Sequence, residues 1–275
     1  MSPTTSGAGL LLHLAGPLQS WGERSQFNER DTAPFPTRSG VIGLLASALG
    51  RRREDSIEDL TGLSLTVRAD RPGVLLRDLH TVGGGLPGRQ TVTTAEGKKR
   101  SGGTATLLSH RYYLADAAFT AALTGDADVL ESCRTALRDP VWPPYLGRRS
   151  CPPEGPLLLG LFDDALHHLL HLPLARRASR AEGALLDIVF HSDCPLGDLS
   201  PGSGTGSDDG TAPAGQVNDD PLTFHSRNRS FRARARYQRT LRLPAGQCAG
   251  FSTDYLAAVG TYLAQHPTRH ESARA

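Results

Sequence analysis

The chain has 275 residues and a mass of 29.3 kDa, with 30 Lys+Arg against 28 Asp+Glu, a formal charge of +2. That length suits one large domain, or one domain with a small appendage, and 38% apolar with 21% charged residues excludes wholesale disorder. No apolar run approaches the ~20 residues of a membrane span, none sits at the N-terminus as a secretory leader would, and near-neutrality argues at face value against a nucleic-acid partner.

Two counts refine that picture. Only Lys98 and Lys99 are lysines, so 28 of the 30 basic residues are Arg, whose planar fork suits phosphates and stacks on bases. A skewed genomic base composition would favour Arg equally. The four cysteines (Cys133, Cys151, Cys194, Cys248) are scattered without a C-x-x-C pair. Neither a disulfide framework nor a zinc site is expected, and a reducing cytoplasm is the expected home.

In chain order, Leu10–Ala15 reads as a buried strand closed by Gly16-Pro17. A polar, irregular stretch follows. Thr37 then caps an expected helix with Val41, Ile42, Leu45, Ala48 and Leu49 as apolar positions and Gly50 as its stop. Leu63, Leu65, Val67 and Ala69 alternate with polar residues, as in a half-buried strand. Pro72-Gly73 turns the chain into a second extended run over 74–82. The Gly-flanked basic segment to about 106 reads as a protruding hairpin, and 107–119 returns to strand character. Asp126 caps an expected helix with Val129, Leu130, Cys133 and Leu137 on one face, ended by Pro140. Residues 157–171 read as partly helical and 183–191 as a strand. Residues 193–220 hold six Asp and no basic residue, and read as a flexible acidic insertion. A basic strand over 222–243, a short amphipathic helix near 252–264 and a polar tail complete the chain. This order approximates β-α-β-β-α-β, the ferredoxin-like or RRM plan.

The strongest chemical signal is SRNRSFRARARYQRTLR, residues 226–242, with seven Arg and no acid between 221 and 242. In a strand Arg232, Arg234 and Arg236 share one face, a guanidinium ladder that nucleic-acid phosphates could meet. Solvated edge protection is the alternative. Thr37, Arg38 and Ser39 open the first helix, where free N–H groups, two hydroxyls and a guanidinium suit a phosphate or serve ordinary capping. Tyr145, Arg148 and Arg149 sit between Pro143-Pro144 and Pro152-Pro153, an aromatic beside cations as in base-stacking loops, or a surface loop with a buried Tyr. His110 and Arg111, with Tyr112 and the hairpin lysines, could form a metal-free ribonuclease site or an RNA-contacting strand without catalysis. His167, His168 and His171 include an i, i+4 pair but lack the Glu of H-E-x-x-H, so a polar helix face is expected. No Ser/His/Asp or paired-carboxylate constellation stands out.

HLAGPLQSWG, RDTAPFPTRSGVIGLLASALG, RDLHTV before the Gly-rich hairpin, LSHRYYLADAAF and YLGRRSCPP together resemble the CasD family over residues 10–243. These are Cas family five proteins of the E subtype, subunits of the type I-E CRISPR surveillance complex Cascade. The resemblance implies an α+β, ferredoxin-like/RRM-like (RAMP) domain with an extended β-hairpin thumb, here about 82–108, and a small C-terminal β/α extension. The expected divisions of the chain are 1–192 for the RAMP domain, 193–220 for the flexible insertion and 221–275 for the remainder, and nothing of the resemblance carries over onto the insertion or the tail after 245. The resemblance implies a non-catalytic, metal- and cofactor-free protein holding the 5′ handle of CRISPR RNA beside the backbone and large subunits, meeting target DNA only through the complex and touching no membrane. The expected RNA contacts are Gln19, Trp21, the Thr37–Ser39 helix start, His110, Arg111, Tyr145, Arg148, Arg149 and the Arg232–Arg236 ladder. A repeat-cleaving, metal-independent endoribonuclease is the alternative, since a sister subtype cuts RNA with Tyr, His and Lys.

The net charge reads differently once divided along the chain. Residues 221–242 carry +7 and the other 253 residues −5, so a basic strand lies beside an acidic segment. That segment is expected to shield the strand until RNA or a neighbouring subunit displaces it.

Overall fold

The run Leu10–Leu14 forms a strand buried on both faces, with Leu10, Leu11, Leu12 and Leu14 wholly inaccessible. Such a strand needs a packed layer on each side. The computed structural model supplies both, and describes residues 7–24, 28–83, 90–93, 97–99, 106–177, 183–200 and 210–269. In chain order the elements are β1 (Gly9–Gln19), β2 (Glu29–Arg30), α1 (Arg38–Ala48), α2 (Glu58–Thr61), β3 (Ser64–Arg71), β4 (Val74–Val82) and β5 (Leu107–Thr124). They continue with α3 (Ala127–Arg138), β6 (Leu158–Phe162), α4 (Ala165–His171), β7 (Leu185–Ser192), β8 (Gly215–Thr223), β9 (Ser230–Pro244) and α5 (Ser252–Gln265).

The strands build one sheet in the order β6-β1-β5-β3-β7-β9-β8, with β2 and β4 added along β5. Among β1, β3, β5 and β6 every neighbouring pair is antiparallel, and their spatial order is fourth, first, third, second. On one face Leu10, Leu12 and Leu14 pack with Ile42, Leu45, Leu130 and Cys133 of α1 and α3. On the other, Leu11 and Ala15 pack with Leu169 of α4, Phe190, Leu241 and Tyr255 of α5. Alternation along β1 therefore feeds two cores from one strand.

β5 is long enough to serve two purposes. Residues 114–124 pair with β1 and much of that stretch with β3, whereas Leu107–Ala115 pairs with β4. Asp116, at φ +55°, lies where these two pairings meet. The β4–β5 ribbon leads into the expected thumb, and Thr93 bridges Lys99 within it. Most of the thumb expected at 82–108 otherwise lies outside the described residues.

Helix ends follow the chemistry of the chain. Asp126 caps α3, its Oδ1 accepting from the amides of Asp128 and Val129 at 3.0 and 3.1 Å. Asp126→Ala should cost about 1 kcal/mol of stability, read as a lower urea midpoint with an unchanged slope. Gly50, at φ +72°, ends α1 as the sequence expects.

The partly helical reading of 157–171 is met by α4, while Leu158–Phe162 before it forms an edge strand, β6, paired with β1. One expectation is corrected. The acidic segment 193–220 is structured over much of its length. Asp193, Leu196 and Leu199 pack against the body, and Gly215–Asp220 lies within β8 and pairs with β9. Burial of Asp219 and Asp220 beside Arg side chains offsets the ordering that composition alone opposes. Residues 201–209, at the centre of that segment, lie outside the described residues. The division at 192 also loses its force, since β7, β9 and β8 prolong the same sheet beyond β3.

Candidate nucleic-acid interface

The start of α1 was expected to be open to a phosphate. The backbone N–H of Arg38 instead donates to Asp219 Oδ2 at 2.7 Å, so a carboxylate from β8 already fills that place. The Arg38 guanidinium is buried and makes four hydrogen bonds. It binds Asp193, Asp220 Oδ1 at 2.9 Å, and the carbonyls of Leu63 and Thr61. Thr37 and Ser39 are buried too, and the Thr37 hydroxyl makes neither a capping bond nor any other hydrogen bond. This constellation is a clasp joining α1, α2, β7 and β8. Burial pushes the Asp193 carboxyl above its usual range, with Arg38 pulling it back.

The arginine ladder is likewise corrected. Arg234 pairs with Asp219 at 2.7 Å, and Arg232 with Asp220 at 2.6 Å. Arg236 meets Gln238 Oε1 and His191 Nδ1, and Arg239 is buried with three hydrogen bonds to the carbonyls of Leu196, Gly197 and Leu199. The stretch 221–242 holds no acid, but its partners stand immediately before it at 219 and 220. Arg232 remains the most accessible of the ladder, with a side chain 68% exposed.

Gln19 and Trp21 are fully buried. Gln19 Nε2 donates to the carbonyls of Leu14 and Ala117, and its Oε1 accepts from Trp21 Nε1 at 3.0 Å. The Trp21 ring fills the space beside Gly40, where a Cβ would come within 2.6 Å of it. The motif carrying the family resemblance here is a packing motif.

Arg148 ties the 145–151 loop to the body. It donates to the carbonyls of Tyr112, Arg30 and Asp31, and lies over the Tyr113 ring at 4.8 Å. Gly147, at φ +83°, allows this approach, since a Cβ there would lie 1.7 Å from the Ser20 carbonyl oxygen. Arg149 is exposed and Tyr145 half-buried. His110 sits between Glu29 Oε1, 2.8 Å from Nδ1, and Arg77 Nη2, 2.9 Å from Nε2. Both ring nitrogens are therefore engaged. Arg111, its neighbour on β5, is half-buried, with its Nε lacking a partner.

One surface escaped the sequence reading. The β4–β5 ribbon exposes Val74, Leu75, Leu79 and Leu108, each more than half accessible. The run VLLRDL could have shown this, because its apolar residues fall on both faces of a strand that has only one neighbour. Arg52, Arg53, Arg149, Arg227 and Arg229 are exposed and form no ion pair among the described residues. Among these residues no group of three His, Cys, Asp or Glu side chains is placed to hold a metal ion, and no helix is long and apolar enough to cross a membrane.

A mixed α/β chain with one dominant antiparallel sheet, basic surface loops and this core matches a known family. The model of the CRISPR-associated protein family Cas5 matches residues 9–238, and the chain belongs to that family. It is 41% identical over 165 residues to the CRISPR system Cascade subunit CasD of Escherichia coli (strain K12), covering 55% of this chain and 70% of that protein. A solved chain described as a CRISPR RNA-guided surveillance complex superposes with a TM-score of 0.80 at 40% identity, over 94% of this chain and all of that one. A second, described as a crystal structure of a Cas protein, gives a TM-score of 0.55 at 32% identity, over 87% and 97%.

Proposed function

We propose that this chain is the Cas5-type subunit of a Cascade surveillance complex, holding the 5′ handle of CRISPR RNA without cutting it and anchoring the neighbouring subunits in antiviral defence. The observation that carries this reading is the match, over nearly the whole chain, to a chain of a CRISPR RNA-guided surveillance complex. The fourth-first-third-second strand order supports a ferredoxin-like, RRM-like core. The ribbon leading out from β4 and β5 supports a thumb whose apolar sides meet a backbone subunit. Target DNA would be met only through the assembly, and the cytoplasm is the compartment this role requires.

A non-catalytic role is favoured by His110, whose nitrogens are both occupied by Glu29 and Arg77 rather than facing an open cleft. Tagged protein expressed beside the other subunits should co-purify with them and with a short RNA bearing a repeat-derived 5′ end. Recovery of free, RNA-less protein would overturn the reading. Repeat RNA incubated with excess pure protein in EDTA should stay intact, and discrete cleavage lost in His110→Ala would establish the nuclease instead.

A further inference from the structure

Most of the arginines expected to meet RNA are engaged by other groups of the chain, which leaves the question of where an RNA phosphate can settle. Three segments that are distant in sequence converge near the C-terminal half of α1. The Val141 amide donates to the Ala48 carbonyl at 2.9 Å, and its side chain packs where Gly50 lacks a Cβ. This seats the Val141–Tyr145 loop beside the Arg51–Arg53 run. From the other side, β8 packs on α1 and α2, and Phe224, following β8, lies 3.7 Å from where a Cβ on Gly43 would be. Phe224 thereby holds the start of the β8–β9 turn, which leads on to Arg229, against α1.

Arg229 packs over Phe231 at 4.9 Å. Desolvation, and then the like charge of Arg53, lower its guanidinium from the ordinary value, while Tyr145 acts in the opposite sense. Arg229 is thus within electrostatic reach of both Arg53 and Tyr145. Arg51 is committed to Asp59 and the Ser56 carbonyl, but Arg53 and Arg229 form no ion pair among the described residues. Trp142, 41% exposed, stands on the same loop as Tyr145. Two guanidiniums within that reach and without an acid repel each other, and an anion between them removes that cost. Aromatic side chains beside them favour an anion that carries a base over an acidic peptide.

We propose that Arg53, Arg229 and Tyr145, with Trp142 alongside, form a seat for a nucleotide of single-stranded RNA: its phosphate lies between the two guanidiniums and its base on an aromatic face. The inference rests on the reading of this chain as an RNA-holding subunit and places the contact away from the start of α1. The arginines fix the strand without reading its sequence, and the aromatic face accepts any base.

The test uses the full chain and a short, 5′-labelled single-stranded RNA, titrated at several salt concentrations. The double variant Arg53→Ala/Arg229→Ala should weaken binding about tenfold or more, and should flatten the logarithmic salt dependence by about 0.7, the share of a single phosphate that is no longer neutralised. Tyr145→Leu should weaken binding about five- to hundredfold with the salt slope kept, and Tyr145→Phe should restore it. Melting curves matching the wild type show that the variants fold. If the wild type binds and the double variant binds equally well, the seat is wrong while the subunit reading stands. Variants that bind RNA normally yet fail to join the complex would make this a protein contact, which also overturns the seat. A wild-type chain that binds no RNA removes both.

Discussion

Replacing Arg38 by alanine should destabilise the protein by about 3–5 kcal/mol, the usual consequence of breaking a buried ion pair by removing one partner. Arg38 is 6% exposed and serves Asp193, Asp220 and two backbone carbonyls at once. Its loss leaves two buried carboxylates with reduced compensation and two carbonyls unbonded. Arg232 still reaches Asp220, and Arg234 still reaches Asp219, so the damage concentrates at Asp193. For a chain of this size the melting temperature should fall by roughly 10 °C or more. Arg38→Lys keeps a charge but loses the fork, and should recover only part of the difference. If Arg38→Ala melts with the wild type but loses RNA, the clasp is wrong and the helix start is an RNA site after all.

Acid should destabilise the fold through two histidines. Burial lowers both His13 and His191 from 6.5 to about 4, with Asp70 opposing the shift at His13 and Arg236 and Arg234 adding to it at His191. His13 faces the Tyr255 hydroxyl at 3.3 Å, and His191 stacks on Phe35 at 4.3 Å. Both are held neutral in the native state but charge freely when unfolded. Their contribution is therefore complete above pH 6.5 and is lost as the pH falls from there towards about 4. Each shift corresponds to about 3 kcal/mol. Asp193, raised by burial, works in the opposite sense but is only one group. Urea midpoints should fall steeply across that window, and His191→Phe should flatten the slope. A midpoint independent of pH between 7 and 4 would exclude this account.

The elements with strong local signals were legible in the sequence. The apolar run from Leu10, the Gly50 stop, the alternation through Leu63–Ala69 and the Asp126 cap each specify their structure through neighbours in the chain. Residues whose surroundings come from afar were not. Arg38 reads as an exposed cation at a helix start, because its acid partners lie 155 to 182 positions later. The same distance hides β8. Asp219 and Asp220, at the end of an acidic Gly-rich stretch, look solvated until the guanidiniums of β9 fold back beside them. Gln19 and Trp21 were legible as a motif but not as a core hydrogen bond, since sequence identifies the polar groups without showing that they face each other. Tyr145 and Arg149, on a proline-bounded loop, keep the accessibility the sequence suggested.

The clasp around Arg38 also orders events during synthesis. Residue 38 is made early, whereas Asp193, Asp219 and Asp220 emerge about 155 to 182 residues later. At roughly 5–20 residues per second, that interval lasts on the order of 10–40 s. Until residue 193 is made the nascent chain carries a guanidinium without its acid partners, and until residue 219 an uncapped first helix. Completion of the sheet is thus a late step, tied to the arrival of the C-terminal third. A ribosome-stalled chain ending before residue 193 should be far more protease-sensitive around α1 than the released protein.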